Sequence, residues 1–251
     1  MNNKTIKPYL DRLKNDNPEN VAKSVLAARE AGFEEVSVDL IYGTPGESIA
    51  DWEQSLDVAL SLPVTHISAY ALIVEEGTKL ASRIKRGEIV MPDDDETADK
   101  YILADNKFRA AGLDWYELSN WSKPGSECKH NLFYWYGENW WGAGPGAHSH
   151  INGRRWWNVK HPGTYKEKIL GSGDPTADSE ILSEVEKEEE RLLLNIRLPQ
   201  GIERSSLSVE QHVVLEDFLK DGHLSRERWD QGFVSLTQSG RLLADRIVGL
   251  L

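Results

Sequence analysis

The chain has 251 residues, 39% of them hydrophobic, and a formal net charge of −12. That apolar content can bury a sizeable core in one domain or somewhat more, while the acidic balance argues against general nucleic-acid binding, which needs a basic surface. The single cysteine, Cys128, excludes an internal disulfide framework and any metal cluster held by several cysteines of this chain. No run approaches the roughly 18 apolar residues of a membrane span, and Met1-Asn2-Asn3-Lys4 starts no secretory signal. The expected location is the cytoplasm, without a transmembrane segment, which is compatible with peripheral membrane contact.

From residue 18 the pattern alternates. Residues 18 to 33 carry Val21, Val25 and Ala28 at helical spacing and stop at Gly32, a left-handed cap. The run V-S-V-D-L-I-Y, residues 36 to 42, is apolar on both faces, as in a parallel strand covered by helices, and ends in Gly43-Thr44-Pro45-Gly46. A helix from Ile49 to Leu62 follows, with Trp52, Leu56, Ala59 and Leu60 on one stripe, then a second buried strand from His66 to Leu72. A helix over roughly Asp95 to Ala111 and a strand from Trp115 to Asn120 complete the pattern. This order predicts an α/β fold with parallel pairing. Two strands with their helices cannot close a barrel, so the outer edge of strand 36–42 is expected to be free.

Asp39 lies in the middle of that apolar strand. If the strand is buried, its carboxylate is paired, hydrogen-bonded or turned to a ligand, and α/β barrels place their sites at strand ends.

Residues 115 to 161 hold seven of the nine tryptophans and four of the seven histidines, and their local charge is positive. Flat aromatic faces, imidazoles and basic side chains together suit a porphyrin with its iron and propionates; bulky core and loop caps are the plainer reading. The glycine-rich run 142 to 149, G-A-G-P-G-A-H-S, allows close backbone approach to a ligand. Cys128, two residues before His130, is either a further ligand or an inert thiol.

After Pro175 an amphipathic helix covers 181 to 197, another covers about Val209 to Leu219, and a short strand precedes a helix capped by Thr237. Two helices, a hairpin and a helix suggest a winged-helix-like module. From residue 181 onward there are 13 acids against 9 bases, which favours packing or partner docking over DNA.

The runs D-L-I-Y-G-T-P-G, S-A-Y-A-L-I-V-E-E-G-T, P-D-D-D-E-T-A-D-K-Y, Y-E-L-S-N-W-S-K-P-G-S-E-C-K-H-N-L-F-Y-W and G-A-G-P-G-A-H-S together resemble the radical S-adenosylmethionine family of the haem chaperone HemW. That family was long described as oxygen-independent coproporphyrinogen III oxidase-like. The resemblance runs from about residue 17 to the C-terminus. It implies a (β/α)6 partial barrel followed by a small winged-helix-like α+β domain. It also implies a [4Fe-4S] cluster on a C-x-x-x-C-x-x-C motif, S-adenosylmethionine at the strand ends, and haem.

Carried residue by residue, the resemblance makes Asp39 an S-adenosylmethionine contact, and makes His130, Asn131, Tyr134 and Trp135 haem contacts, with His130 facing the iron. Arg12 is the counterpart of a second S-adenosylmethionine contact, but its run, Leu10 to Asn17, lacks the family's histidine and is two residues longer. The resulting expectation has residues 1–16 outside the resemblance and 17–174 as the second half of the partial barrel, with the haem-contact segment at 115–161. Residues 175–251 form the C-terminal domain.

The cluster motif is missing from the chain, so no radical chemistry is expected of this polypeptide alone. The implied role is a haem chaperone that passes haem to a respiratory protein. Decarboxylation of coproporphyrinogen III is the alternative, and the H-N-x-x-Y-W motif weighs against it; a non-catalytic interaction module is the third reading.

Overall fold

A computed structural model describes residues 18–251, which form two compact units divided between Glu127 and Cys128. In the first unit, helix α1 (Pro18–Glu30) places Glu19 in its first turn and Arg29 in its last, opposing the ends of the helix dipole. Strand β1 (Ser37–Tyr42) follows, then helix α2 (Ile49–Ser61), strand β2 (His66–Ala71), helix α3 (Lys79–Lys85) and helix α4 (Asp94–Ala110). Strands β3 (Asp114–Glu117) and β4 (Asn120–Ser122) complete a sheet of order β1-β2-β4-β3.

Local chemistry fixes the helix starts. Ser48 and Asp51 form a reciprocal capping box at α2, and Asp93 caps α4 through Glu96 N–H. Helix α2 turns Trp52, Leu56 and Ala59 inward. They join Val25, Val38, Ile67, Tyr101, Phe108 and Trp121 in one apolar cluster. Each fully buried large side chain there contributes about 1.5–3 kcal/mol.

The sheet departs from the sequence expectation in two respects. First, β1 and β2 are parallel, with Asp39 opposite Ser68, but the strand expected from Trp115 to Asn120 is split. Leu118 and Ser119 turn the chain, β3 and β4 pair antiparallel, and β4 lies antiparallel beside β2. The turn is held by Ser119 N–H donating to Glu117 Oε2 (3.3 Å) and by Ser119 carbonyl accepting from Ala69 N–H (2.8 Å). Second, β1 is covered on one face only. Val38 and Tyr42 are buried, whereas Ser37, Asp39 and Ile41 are exposed. Its outer edge pairs with no described strand, as the strand count predicted.

In the second unit, helix α5 (Lys129–Trp135) leads to strand β5 (His148–Ile151), strand β6 (Arg154–Asn158), helix α6 (Pro162–Gly171) and strand β7 (Thr176–Ile181). The three strands form an antiparallel sheet of order β5-β6-β7. The domain break expected at 174/175 falls inside this unit, because β7 pairs along the whole of β6. Helix α7 (Glu184–Asn195), strand β8 (Ile202–Glu203), helix α8 (Val209–Lys220), helix α9 (Arg226–Asp230), strand β9 (Phe233–Val234), helix α10 (Gln238–Leu242) and helix α11 (Ala244–Val248) follow. The small strand pair joins β8 to β9 across α8 and α9, so it is not a hairpin of neighbouring strands. Ile196, Leu198, Ile202, Leu215, Val234 and Ile247 fill the core of this part. No described helix is long and apolar enough to cross a membrane.

Candidate functional site

Each unit contributes one candidate site, built on one face of its sheet. In the first unit, period-two alternation sorts the side chains. Val38, Ile67, Ala69 and Trp121 point into the helix-covered core. The opposite face is polar. Strand register aligns Asp39, Ser68, Asn120 and Glu117 as one rung across all four strands, and Ser37, His66 and Ser122 as the neighbouring rung.

These groups are hydrogen-bonded to one another. Asn120 Nδ2 donates to Glu117 Oε1 and to the Tyr70 hydroxyl, the latter at 3.4 Å. His66 is flanked by Ser37 Oγ at Nδ1 and by Tyr116 Oη at Nε2, both 2.7 Å away. Burial lowers the pKa of His66, opposed by the negative charges of Asp39 and Glu35, which favours the neutral ring. Asp39 itself is exposed. Its place in an apolar strand is therefore explained by facing, since it stands on the side of β1 that no helix covers.

The loop at the end of β1 is fixed by a buried cation. Lys100 is fully buried; its Nζ donates to the Glu47 carbonyl (2.7 Å) and to Glu96 Oε1 (3.0 Å), and lies 3.3 Å from Glu47 Oε2. Glu47 in turn accepts from Gly43 N–H at 2.8 Å, and Gly43 takes the left-handed φ of 73° that this turn requires. Trp52 Nε1 donates to the Lys100 carbonyl (2.9 Å), so the loop is tied to the core. A groove of about 510 Å³ borders the free edge of β1, lined by residues of α1, β1 and α2 that include Val21, Leu40 and Val58.

In the second unit, Lys129 and the H-N-L-F-Y-W run that follows it form α5, which places His130 and Tyr134 one turn apart on one side of the helix. His130 is exposed, and its Nε2 lies 3.0 Å from the Tyr134 hydroxyl. A ladder of rings continues from it. Centroids are 5.0 Å apart for His130 and Tyr134, 4.8 Å for Tyr134 and Trp140, and 4.8 Å for Trp140 and His150. His150, at the far end, is buried, with Nδ1 3.2 Å from the Glu138 carbonyl and Nε2 accepting from Gly153 N–H at 3.2 Å. Trp140 and His150 also bridge as backbone partners. The close approach explains Gly142, where a Cβ would lie 2.1 Å from the His148 carbonyl oxygen.

The tryptophan-rich segment 115–161 is thus divided. Trp115 and Trp121 pack in the first unit's core, which is the plainer reading of those two. Trp135, Trp140, Trp141, Trp156 and Trp157 belong to the second unit. The histidines divide as well. His161 is exposed and caps α6, His148 is exposed and stacks on Trp157, His150 is buried with both ring nitrogens against backbone, and His130 is exposed on a helix. Asn131 and Trp135 are partly buried on α5, and the Trp135 carbonyl accepts from Asn195 Nδ2 at 2.9 Å. Cys128 is an exposed free thiol that immediately precedes α5. Arg12 lies outside the described residues.

Sequence reasoning missed Lys100, Tyr70, Asn120 and Glu117. The last three become visible once strand parity is counted from Asp39 through the register.

Superposition defines the fold. The fold matches the solved structure titled "Coproporphyrinogen III oxidase (HemN) from Escherichia coli is a Radical SAM enzyme" with a TM-score of 0.75, at 18% identity, over 94% of this chain and 59% of that one. The chain therefore shares the α/β fold of that structure. By sequence it is HemW-like: it is 48% identical over 242 residues to the haem chaperone HemW of Mycobacterium tuberculosis and 35% identical over 238 residues to that of Bacillus subtilis. These matches cover 96% and 92% of this chain, which spans 61% and 62% of the length of those curated relatives. No family model matches the chain.

The residues present differ in how they suit the groups that this class implies. A [4Fe-4S] cluster on a three-cysteine motif does not fit a chain whose one cysteine is Cys128. Among the described residues, no group of three or more His, Cys, Asp or Glu could hold a metal ion. An exposed carboxylate on a polar sheet face does fit the hydroxyl or ammonium groups of S-adenosylmethionine. An exposed imidazole at the head of an aromatic ladder fits haem iron.

Proposed function

We propose that this chain is the haem-binding part of a HemW-like haem chaperone, with His130 as the contact to iron. The observation that carries this reading is the His130–Tyr134–Trp140–His150 ladder, whose one exposed imidazole is His130. Tyr134 orients the ring through Nε2, and neighbouring Asn131 and Trp135 complete the helix face. Haem bound there would pass to a respiratory acceptor protein. Asp39 holds S-adenosylmethionine when the cluster-bearing part is supplied; this chain's contribution to that ligand is binding, with no radical step of its own. The domain roles follow: the first unit presents Asp39, the segment from Cys128 to His161 presents haem contacts, and the helical remainder packs or docks partners.

Haem titration tests the reading. The purified chain is expected to give a saturable Soret shift that His130→Ala abolishes and Tyr134→Phe weakens. An unchanged spectrum in the parent chain, or an equal shift in His130→Ala, removes haem binding at this site.

A further inference from the structure

The ring ladder that starts at His130 ends against a cavity. His150, its last member, forms part of the wall of a cleft of about 550 Å³ between the end of α5, the β5–β6 turn and α7. That volume lies within the range of small-ligand sites. Its walls are tied together. Asn195 on α7 donates through Nδ2 to the Trp135 carbonyl at the end of α5 (2.9 Å), and Asn152 in the turn donates its backbone N–H to Asn139 Oδ1 (2.8 Å). Two cations of α7 line the cleft, Lys187 and Arg191, one turn apart on one side of the helix. Gly153 makes room for the first: a Cβ there would overlap Lys187 Cε and lie 3.0 Å from Nζ. The ammonium thus lies beside the turn whose Gly153 N–H donates to His150. Both cations have capacity for a ligand. Lys187 pairs with Glu184, a carboxylate 90% exposed, and pairs of that kind hold weakly. Arg191 gives Nε and Nη2 to Glu188 and Nη2 to Ser206 Oγ, and its Nη1 bonds to nothing among the described residues. Of the acids on the wall, Glu190 is occupied by a two-pronged contact from Arg155, and Glu138 is exposed to solvent.

We propose that this cleft takes the carboxylate arms of the haem, with Lys187 and Arg191 as their contacts. The inference rests on the His130 reading and adds to it the orientation of the ligand. The reach agrees: from His130 to Tyr136, which lines the cleft, α5 and its cap advance about 9 Å at about 1.5 Å per residue, the scale that separates the centre of a porphyrin from its carboxylates. The chemistry agrees as well. A propionate is a planar two-oxygen acceptor, matched by the unused N–H groups of a guanidinium and by an ammonium. Arms fixed here leave the rest of the macrocycle along Tyr134 and Trp140, with its iron toward His130. The cleft therefore selects a porphyrin that carries free carboxylates over one that does not.

Titration of the full chain with haem and with haem dimethyl ester, in which both carboxylates are blocked, separates the two contacts when followed by the Soret band. The parent is expected to bind haem more tightly than the ester. Lys187→Met and Arg191→Met each weaken haem roughly 5- to 30-fold, for the loss of one charge-assisted contact at a partly exposed position, and leave the ester's affinity where it was. Ester binding reports an intact His130 site, so it also shows that each variant is folded. Lys187→Arg keeps the charge and binds haem as the parent does, and Lys79→Met, which removes a cation from the first unit, has no effect. If the parent holds haem and ester equally, if Lys187→Met and Arg191→Met bind haem as the parent does, or if they lose both ligands alike, the cleft takes no carboxylate; the His130 reading then stands on the loss of the shift in His130→Ala. If the parent binds neither ligand, or His130→Ala shifts as the parent does, the haem reading fails and this inference with it.

Discussion

Replacing Lys100 by methionine should loosen the loop that follows β1. Methionine keeps the length and packing of the stem but deletes the cation. Three contacts go: the Glu47 carbonyl, the Glu96 carboxylate and the Glu47 carboxylate. The orphaned carbonyl costs about 1–3 kcal/mol if it stays dry. Glu96 is 46% exposed and returns to water on losing its partner, so that arm is worth under about 1 kcal/mol. Glu47 is 13% exposed but keeps the Gly43 N–H, and removing a buried ammonium relieves its own desolvation. The net expectation is a loss of about 2–3 kcal/mol, below the 3–5 kcal/mol typical of breaking a wholly buried pair. For a chain of this size that lowers Tm by roughly 4–12 °C. Urea unfolding followed by tryptophan fluorescence reads it, with Glu96→Gln as a control that loses under about 1 kcal/mol. A Lys100→Met chain within about 0.5 kcal/mol of the parent, or more stable, would show that the cation holds nothing that methionine cannot.

Two further outcomes follow from the same geometry. The pKa of His66 is lowered by burial, so below its ordinary value of about 6.5 the unfolded chain takes up a proton that the folded chain resists. Stability attributable to His66 is complete above that pH and falls as pH drops toward the lowered folded value. Unfolding midpoints at pH 7.5 and 5.5 should converge in His66→Gln relative to the parent, and an identical pH response in both chains refutes the assignment. Gly142→Ala places a methyl against the His148 carbonyl. It should destabilise the second unit by about 1–3 kcal/mol and lower haem affinity through the Trp140–His150 bridge, whereas Gly144→Ala, strained by its φ of 109° yet free of any clash, should leave haem affinity unchanged.

Much of the first unit was legible because helical and strand periods are strong there. Helices α1, α2 and α4 and strands β1 and β2 fall within a residue or two of where apolar spacing puts them, and Gly32 takes the left-handed conformation expected of a cap. The split between β3 and β4 was hidden because Leu118 and Ser119 carry no glycine, proline or asparagine to announce a turn. What bends the chain there is the Glu117 side chain, a tertiary feature rather than a propensity. Asp39 stands out in the sequence for the wrong environment: the run Val36 to Tyr42 looks apolar on both faces, yet Ser37 and Asp39 alternate with Val36, Val38 and Leu40, the pattern of a strand buried on one face only. Strands β5 to β7 were missed because their residues are histidine, arginine, tryptophan and acids, which alternate by face but not by hydrophobicity. The motif runs identified His130 and its neighbours, while the ladder beyond Tyr134 depends on pairing between residues far apart in the chain.

The paired tryptophans have a consequence for how composition should be read in this chain. Trp140-Trp141 and Trp156-Trp157 look like reinforcement of a single aromatic site, but alternation in an extended chain sends neighbours to opposite sides. Trp140 meets His150 and the ladder while Trp141 meets Trp156, and Trp157 stacks on His148. Each doublet is therefore a junction between two surfaces, one carrying His150 and Arg155, the other Ser149 and Arg154. Register acts here as an address: a slip of one residue would keep the composition unchanged and exchange the occupants of the two faces.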